Sequence, residues 1–138
     1  MWKYYALLSA FFAALTAIFA KIGVSAMNSN LATAIRTVVI LFITWSIVLI
    51  GNQASTIKDL SLRNWVFLIL SGAATGLSWL FYFKALQVGD ASKVAPVDKL
   101  SVVLVIVFSW LFLKEPITLK VIIGGLLIFC GSMILIWK

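Results

Sequence analysis

The side chains that could do chemistry in this sequence are few and widely spaced. The four carboxylates are Asp59, Asp90, Asp98 and Glu115, and the sequence contains no histidine, the commonest acid-base catalyst and metal ligand. Cys130 is the single cysteine, so neither an intrachain disulfide nor a cysteine cluster for zinc can form. No nucleophile stands beside a base, and no cofactor-binding loop occurs. The sequence therefore predicts neither an enzyme nor a protein with a metal or other cofactor.

Charged residues inside long apolar runs are the more informative feature. The charge-free part of the apolar run that contains Arg36 is only Thr37–Ile50. In the run that contains Asp98 and Lys99 it is only Leu100–Leu113. Each of these charge-free runs is 14 residues long, whereas a helix needs about 20 residues to cross about 30 Å of hydrocarbon. If both runs span a bilayer, the charges lie about one turn inside it, where they must snorkel, pair or face water.

Each of these charges has a structural explanation beside the functional one. Arg36 and Lys99 have side chains long enough to snorkel to the interface. Asp98 is too short for that, but Pro96 suits the first turn of a helix, where an acid two residues later is stabilised by the helix dipole. The functional alternative places Asp98 in a wet cavity, paired with Arg36 or Lys21. The sequence leaves both explanations open.

Polar and small side chains form stripes at helical spacing. The third predicted helix has a hydroxyl stripe beside a stripe that combines glycines with aromatic rings. These two stripes are Ser71, Thr75, Ser78 and Tyr82, and Gly72, Gly76, Trp79 and Phe83. In the first helix Ser9, Ala13 and Ala17 lead to Lys21, and in the fourth Asp98 shares a face with Ser101. Hydrogen bonds between helices would explain the hydroxyls without any ligand, and a solute cavity would explain them as well.

Composition and punctuation indicate the elements that must position these residues. The chain is 64% hydrophobic and 11% charged, against about 45 to 50% and about 25% in soluble domains. We therefore predict an all-α integral membrane protein with about five transmembrane helices in a single domain, residues 1–138. The spans are expected near Tyr4 to Gly23, Leu31 to Ile50, Trp65 to Phe83, Val94 to Leu113 and Leu119 to Trp137.

The net charge of +7 does not indicate nucleic acid, because the Lys and Arg residues are scattered singly rather than gathered into a stripe. The expected surroundings are membrane lipid. After the first apolar run comes Lys21-Ile22-Gly23-Val24 and further membrane-type sequence, with no cleavage site of small residues. We therefore expect the first helix to be retained.

Three phrases of the sequence carry a family resemblance. The first runs from Tyr82-Phe83-Lys84-Ala85-Leu86 to Gly89, the second from Ala91-Ser92 to Pro96, and the third is Leu113-Lys114-Glu115-Pro116-Ile117-Thr118. Together with Arg36 near the start of the second helix and a Gly-rich fifth helix, they resemble the EamA-type repeat of the drug/metabolite transporter superfamily. The likeness covers essentially the whole chain. Lys114 stands where the family phrase usually has Gly, a change expected to affect a turn.

The resemblance implies a secondary transporter of small polar metabolites that works by alternating access through a central cavity. Most members carry two repeats, so this chain is similar to the single-repeat, five-helix branch of bacteria and archaea, in the cell membrane. Small multidrug exporters need an acid in their first helix, and this first span has none, which disfavours a cationic drug as substrate. The alternative from another class is a non-transporting or lipid-carrier flippase subunit of a heteromeric complex.

We predict that the charged residues inside the spans border the cavity together with one end of the third helix. The predicted substrate-binding residues are Lys21, Arg36, Trp79, Tyr82, Asp98, Lys99 and Ser101. Since the cations there outnumber the single acid, the field favours anionic or zwitterionic, amino-acid-like solutes. Asp98 or Asp90 is the acid available for proton coupling; without either, the protein would be a uniporter or exchanger.

The working unit is predicted to be a homodimer of half-transporters, because one repeat supplies half a cavity. Lys and Arg on short cytoplasmic loops set the orientation of a membrane protein. With the amino terminus inside, the inner side holds Lys3, Lys58, Arg63, Lys114 and Lys120, and the outer side Lys21, Arg36, Lys84, Lys93, Lys99 and Lys138. This near balance favours protomers inserted in opposite directions; a parallel dimer or a heteromer is the alternative.

Overall fold

The computed structural model describes residues 1–137, and Lys138 lies outside the described residues. The described chain is helical, with short turns. Its α-helices are α1 (Trp2–Val24), α2 (Ser29–Ile50), α3 (Leu62–Val88), α4 (Ala91–Asp98), α5 (Leu100–Leu113) and α6 (Leu119–Ile136), and a 3₁₀ helix covers Ala54–Asp59. Three of the helices begin at side-chain caps. Asn28 accepts the Asn30 N–H at 2.8 Å, Ser61 accepts the Asn64 N–H at 3.2 Å, and Thr118 accepts the Val121 N–H at 3.4 Å.

Five stretches of helix are long and apolar enough to cross a membrane: α1, α2, α3, α4 together with α5, and α6. The predicted all-α membrane fold is confirmed. The third span is longer than predicted, because α3 continues past Phe83 through Lys84 to Val88. A lysine near the end of a long span can reach the interface, so its charge does not stop the helix.

By packing, the chain divides into two compact units. The central unit is Ile18–Gln87, which takes in the end of α1, α2 and nearly all of α3. Its buried side chains lie where α1 ends, α2 begins and α3 ends: Ala20, Val24, Ser29, Thr33, Phe83 and Leu86. Val24 and Leu86 are 1% and 0% exposed, so the well-packed part of this unit is one end of its three helices.

The flanking unit combines Met1–Ala17 with the chain from Val88 onward. In it α4, α5 and α6 pack against one another. Gly125 and Ser132 of α6 are buried, seven positions apart on one face of that helix. A Cβ added at Gly125 would lie 3.0 Å from the Cδ1 atom of Ile106, so glycine allows α5 to approach α6 closely.

The fourth span is broken at Lys99. Pro96 has no N–H to donate within α4, and the Lys99 N–H bonds the Pro96 carbonyl at 3.0 Å, in the tighter 3₁₀ spacing. The hydroxyl of Ser132 donates to the same carbonyl at 3.0 Å. The joint between α4 and α5 is therefore held from α6.

This arrangement corrects the helix-dipole explanation of Asp98. The sequence placed Pro96 in the first turn of a helix, with Asp98 stabilised there. In the structure α4 begins at Ala91, Pro96 is the sixth residue of α4, and Asp98 is its last. Asp98 therefore lies outside the first turn of α4, where the dipole of that helix would favour an acid.

Along the remaining length of the helices, large apolar side chains are exposed, as lipid-facing residues are. In the predicted close-packing stripe of α3, Gly72 is exposed, whereas Phe83 at the other end is buried. A Cβ added at Gly72 or Gly76 would meet no heavy atom within 4 Å, so no backbone approaches α3 there within the described protomer. The close approach occurs at Gly125 of α6 instead.

Candidate functional site

Arg36 of α2 lies over two aromatic rings of α3. Its guanidinium carbon, Cζ, is 4.4 Å from the ring centroid of Trp79 and 5.1 Å from that of Phe83. Both distances are within the range of cation–π attraction, which is about 0.5 to 2 kcal/mol depending on desolvation. Trp79 and Phe83 are four residues apart on α3, so they present their rings on one face. We call Arg36, Trp79 and Phe83 the arginine cluster.

The arginine cluster lies inside the span rather than at its edge. Arg36 is seven positions after Ser29, about 10 Å along α2 at about 1.5 Å per residue. Trp79 is farther from the end of α3 than Phe83 is, and the guanidinium is nearer to the Trp79 ring. The guanidinium is therefore nearer to the ring that lies farther from the end of α3.

Arg36 has no anionic partner in the described chain. The ion pairs of residues 1–137 are Asp90 with Lys93 and Asp98 with Lys99, each at 3.3 Å. The guanidinium makes no hydrogen bond within these residues either. A half-buried guanidinium supported by rings but without an acceptor can receive a carboxylate or another oxyanion along its N–H edge.

Tyr82 stands beside the arginine cluster on α3. Its half-buried ring meets that of Phe83 edge-on, with centroids 6.3 Å apart and planes at 73°. Tyr82 therefore packs against one of the two rings over which Arg36 lies, and it belongs to the surroundings of the cluster.

Lys21, near the end of α1, binds a main-chain carbonyl of α3. Its ammonium donates to the carbonyl of Leu86 at 2.7 Å. In return the side-chain amide of Gln87 donates to the carbonyls of Met27 at 2.9 Å and Val24 at 3.4 Å. Each helix end thus satisfies carbonyls of the other that have no partner within their own helix. We call Lys21 and Gln87 with these carbonyls the helix-end clasp.

Asp98, Lys99 and Ser101 belong to the flanking unit, at the joint between α4 and α5. Lys99 pairs with its neighbour Asp98, and their side chains are 56% and 35% exposed. Ser101 is exposed in the first turn of α5. The joint thus carries one acid and one base side by side, and Lys99 is the ion-pair partner of Asp98.

Most of the described threonine hydroxyls bond their own helices. Thr33 donates to the Ser29 carbonyl at 2.9 Å, Thr37 to that of Thr33 at 2.8 Å, and Thr75 to that of Ser71 at 2.9 Å. Such i to i−4 bonds satisfy a hydroxyl inside a membrane helix without a neighbour. The Thr75 hydroxyl of the predicted stripe therefore donates within α3 itself.

Three of the seven predicted site residues, Arg36, Trp79 and Tyr82, are brought together in the central unit. Lys21 belongs to the helix-end clasp of the same unit, and Asp98, Lys99 and Ser101 form a separate group in the flanking unit. Sequence reasoning missed the roles of Phe83, Gln87 and Ser132. A signal was available for two of them, because Trp79, Phe83 and Gln87 recur every fourth residue on α3.

The part of the chain that the structure describes contains no group of side chains that could bind a metal ion. No three residues of the types His, Cys, Asp and Glu are grouped within residues 1–137. Cys130 is exposed on α6. The candidate site is therefore the arginine cluster, with the Asp98–Lys99 pair as a second polar position.

Residues 1–137, nearly the whole length of the chain, match the EamA-like transporter family. The chain belongs to this family. It is an EamA-like, multi-pass membrane protein of the drug/metabolite transporter type. The predicted family assignment is thereby confirmed.

Relatives of two different lengths are similar in sequence to this EamA-like protein. An uncharacterized transporter from the cobO 3′ region of a Sinorhizobium species is 52% identical over 134 residues, which cover 97% of this chain and 95% of that protein. The uncharacterized transporter YoaV of Bacillus subtilis is 37% identical over 67 residues, covering 49% of this chain and 23% of YoaV. YvbV of the same organism is 43% identical over 61 residues, covering 44% and 20%. No solved structure shows significant similarity to the chain.

Proposed function

We propose that this EamA-like protein is a secondary transporter that moves a small anionic or zwitterionic metabolite across the cell membrane by alternating access. The observation that carries the proposal is Arg36, held over Trp79 and Phe83 inside a span with no acceptor in the described chain. A cation inside the hydrocarbon costs a few kcal/mol. Keeping it there is understandable if a solute of opposite charge becomes its partner during transport.

The overall charge supports the same class of solute. The chain carries a net charge of +7, and Lys21, Arg36 and Lys99 are among the cations that lie within candidate spans. A surplus of positive charge raises the local concentration of anions and repels simple cations. Zwitterions such as amino acids enter such a field by their carboxylate.

Asp98 is the proposed acid for coupling to protons. It lies within the fourth candidate span, beside Lys99 and at the joint of α4 and α5. Broken helices often form the ion and substrate sites of transporters. If Asp98 carries no proton during the cycle, the protein operates as a uniporter or exchanger.

The proposed working unit is a homodimer of half-transporters, with protomers inserted in opposite directions. Since 67 residues make up 23% of YoaV, that relative is about twice as long as this chain. Transporters commonly build their binding sites from two repeats of inverted orientation. Two copies of the present chain would together be about as long as that relative.

Uptake by purified protein in liposomes tests the proposal. The panel contains radiolabelled amino acids, monocarboxylates, nucleotides and cationic amines, and the expected result is uptake of an anionic or zwitterionic member only. Arg36→Ala and Asp98→Ala should each abolish that uptake while folded protein remains in the membrane. Arg63→Ala is the matched control, because Arg63 also lies over a ring, with Cζ 5.8 Å from the centroid of Phe67.

Two outcomes would contradict the proposal. Undiminished uptake by both the Arg36 and the Asp98 variant would separate transport from these residues. Absence of uptake from the whole panel by correctly folded protein would favour the alternative of a non-transporting or flippase subunit that needs a different chain.

A further inference from the structure

We propose that Arg36 binds one carboxylate group of the solute along its N–H edge, with Trp79 and Phe83 as positioning residues. The inference rests on the proposed transport function and narrows it to solutes with a carboxylate. Its central observation is geometric: the guanidinium lies over two rings that support it without using its hydrogen bonds.

The rings restrict how an anion can approach. A guanidinium is planar, and its five N–H groups point outward in the plane. The ring centroids of Trp79 and Phe83 lie 4.4 and 5.1 Å from Cζ, and neither contact gives the N–H groups an oxygen acceptor. The side of the guanidinium left for an anion is its edge, where a planar carboxylate makes two parallel hydrogen bonds.

The charge of the central unit indicates a single negative charge on the bound group. Two other cations lie near these helix ends: Lys21, which donates to the Leu86 carbonyl, and Lys84, which is exposed on α3. Thr33 and Thr37 of α2 have placed their hydroxyl protons on carbonyls of their own helix. Arg36 therefore supplies the charge-assisted donors of this face of α2. One guanidinium neutralises one carboxylate, whereas a phosphate dianion would leave a charge unpaired in a medium that strongly disfavours it.

The same geometry explains why arginine rather than lysine occupies position 36. A lysine ammonium is a compact point charge without the fork that matches a carboxylate, and it does not stack on aromatic faces as a guanidinium does. Arg36→Lys should therefore keep the charge and lose the recognition. The expected loss in carboxylate affinity is about tenfold or more, as for a lost charge-assisted hydrogen bond.

The composition of the chain offers a direct readout. The sequence contains two arginines, Arg36 and Arg63, so a protein labelled with ¹⁵N at arginine Nε gives two side-chain signals, which Arg63→Lys assigns. We would titrate the full chain in maltoside micelles with propionate, and in parallel with methylphosphonate and propionamide. The expected result is a saturable shift of the Arg36 signal with propionate, a smaller or absent shift with the other two probes, and no shift of the Arg63 signal.

Two variants complete the test. Trp79→Leu removes the ring nearer to the guanidinium and should weaken propionate binding several-fold. Trp65→Leu, at the other end of α3, is its matched control and should leave binding unchanged. Arg36→Lys should bind propionate about tenfold more weakly, or worse, in a thermal-shift titration of protein with an unchanged melting temperature.

Several results would overturn the inference. These are equal shifts of both arginine signals, an equal response to methylphosphonate, or full propionate affinity in Arg36→Lys. A move of the Arg36 signal on transfer to phospholipid nanodiscs, without any added probe, would identify its anion as a lipid phosphate and would also overturn it. Transport by a protein that fails these tests would leave the proposed function standing. A carboxylate site in a protein that transports nothing would support this inference and contradict the proposed function.

Discussion

A single backbone conformation sets the turn between the fourth and fifth spans. Lys114, the residue directly after α5, has φ 55° and ψ 30°, in the left-handed region. The Glu115 N–H donates to the Ser109 carbonyl at 3.2 Å, closing the helix. Glycine adopts this conformation without the Cβ clash that other residues meet there. The family phrase usually has Gly at this position, and the structure gives the physical reason.

We predict that Lys114→Gly raises the free energy of unfolding by about 0.5 to 1 kcal/mol, because relief of the left-handed strain exceeds the added freedom of the unfolded chain. Thermal unfolding in detergent measures the change. Asn52→Gly is the matched comparison, since Asn52 also has a positive φ, of 52°. Asparagine tolerates that region, so its replacement should gain less. A lower melting temperature for Lys114→Gly would contradict the argument.

Charge at the residue scale was partly predictable. The interruption of two apolar runs pointed to Arg36 and Asp98, because a charge within 20 apolar residues is costly wherever the helix packs. The partner of each charge was not predictable. Arg36 lies over rings on another helix, and Lys21 bonds a main-chain carbonyl. Carbonyl acceptors have no signature in the sequence.

Among the elements, α6 is the helix on which close packing is concentrated. Gly124 and Gly125 are neighbours in sequence but differ in surroundings. A Cβ at Gly124 would meet nothing within 4 Å, whereas at Gly125 it would press on Ile106 at 3.0 Å. The two positions therefore separate the effect of helix propensity from that of packing.

We predict that Gly124→Ala stabilises the protein by about 0.5 to 1 kcal/mol, the usual gain of alanine over glycine in a helix. Gly125→Ala should gain less or nothing, because the methyl end of Ile106 must move aside. Gly125→Val, with a larger branched side chain, should be clearly destabilising. Thermal unfolding of the three variants would test this order, and an equal gain at both glycines would refute it.

The helix-end clasp gives a second prediction at the scale of elements. Gln87→Leu keeps a similar side-chain volume but removes the donor to the Met27 and Val24 carbonyls. Its expected cost is about 1 kcal/mol, the usual effect of one lost hydrogen bond. The loss should appear as a lower melting temperature. Gln53→Leu, at the exposed turn after α2, is the control, and a variant as stable as the parent would show that the clasp contributes nothing.

Element boundaries show how far a sequence pattern reaches. Turn residues and apolar length predicted all five spans within a few residues, because each is a local property of the chain. The break at Lys99 was not predicted. It depends on Pro96 together with the Ser132 hydroxyl from α6, 36 positions away in the sequence, and a pairing at that distance is visible only in the fold.

For the whole molecule, the distribution of positive charge determines insertion. Residues within candidate spans are weaker topology signals than loop residues. Five of the six Lys and Arg residues assigned to the outer side lie within such spans, and so do three of the five assigned to the inner side: Lys21, Arg36, Lys84, Lys93 and Lys99, and Lys3, Arg63 and Lys120. Without the residues in candidate spans, Lys58 and Lys114 remain on the inner side and Lys138, which lies outside the described residues, remains on the outer side. This balance of two against one is still close to even. We therefore expect both orientations in one membrane.

Cysteine labelling from each side of sealed cells tests this expectation. In a Cys130→Ala background, Met27→Cys and Thr56→Cys place single thiols in turns on opposite ends of α2. Each should be labelled in part from the outside and in part only after permeabilisation. A position labelled entirely from one side would rule out protomers in opposite directions and leave the parallel dimer or the heteromer.

The helix-end clasp has a consequence for the order in which the chain is made. Lys21 and its acceptor Leu86 are 65 positions apart in the sequence, so α1 and α2 leave the ribosome before the carbonyl of Leu86 exists. Until α3 has been synthesised, the ammonium of Lys21 has a strong reason to stay in water at the membrane surface. The first two helices would then form a hairpin without the hydrogen bonds of the clasp, and these bonds would form once α3 has been synthesised. Because every bond of the clasp lies within one protomer, this step is the same whichever way the protomer faces.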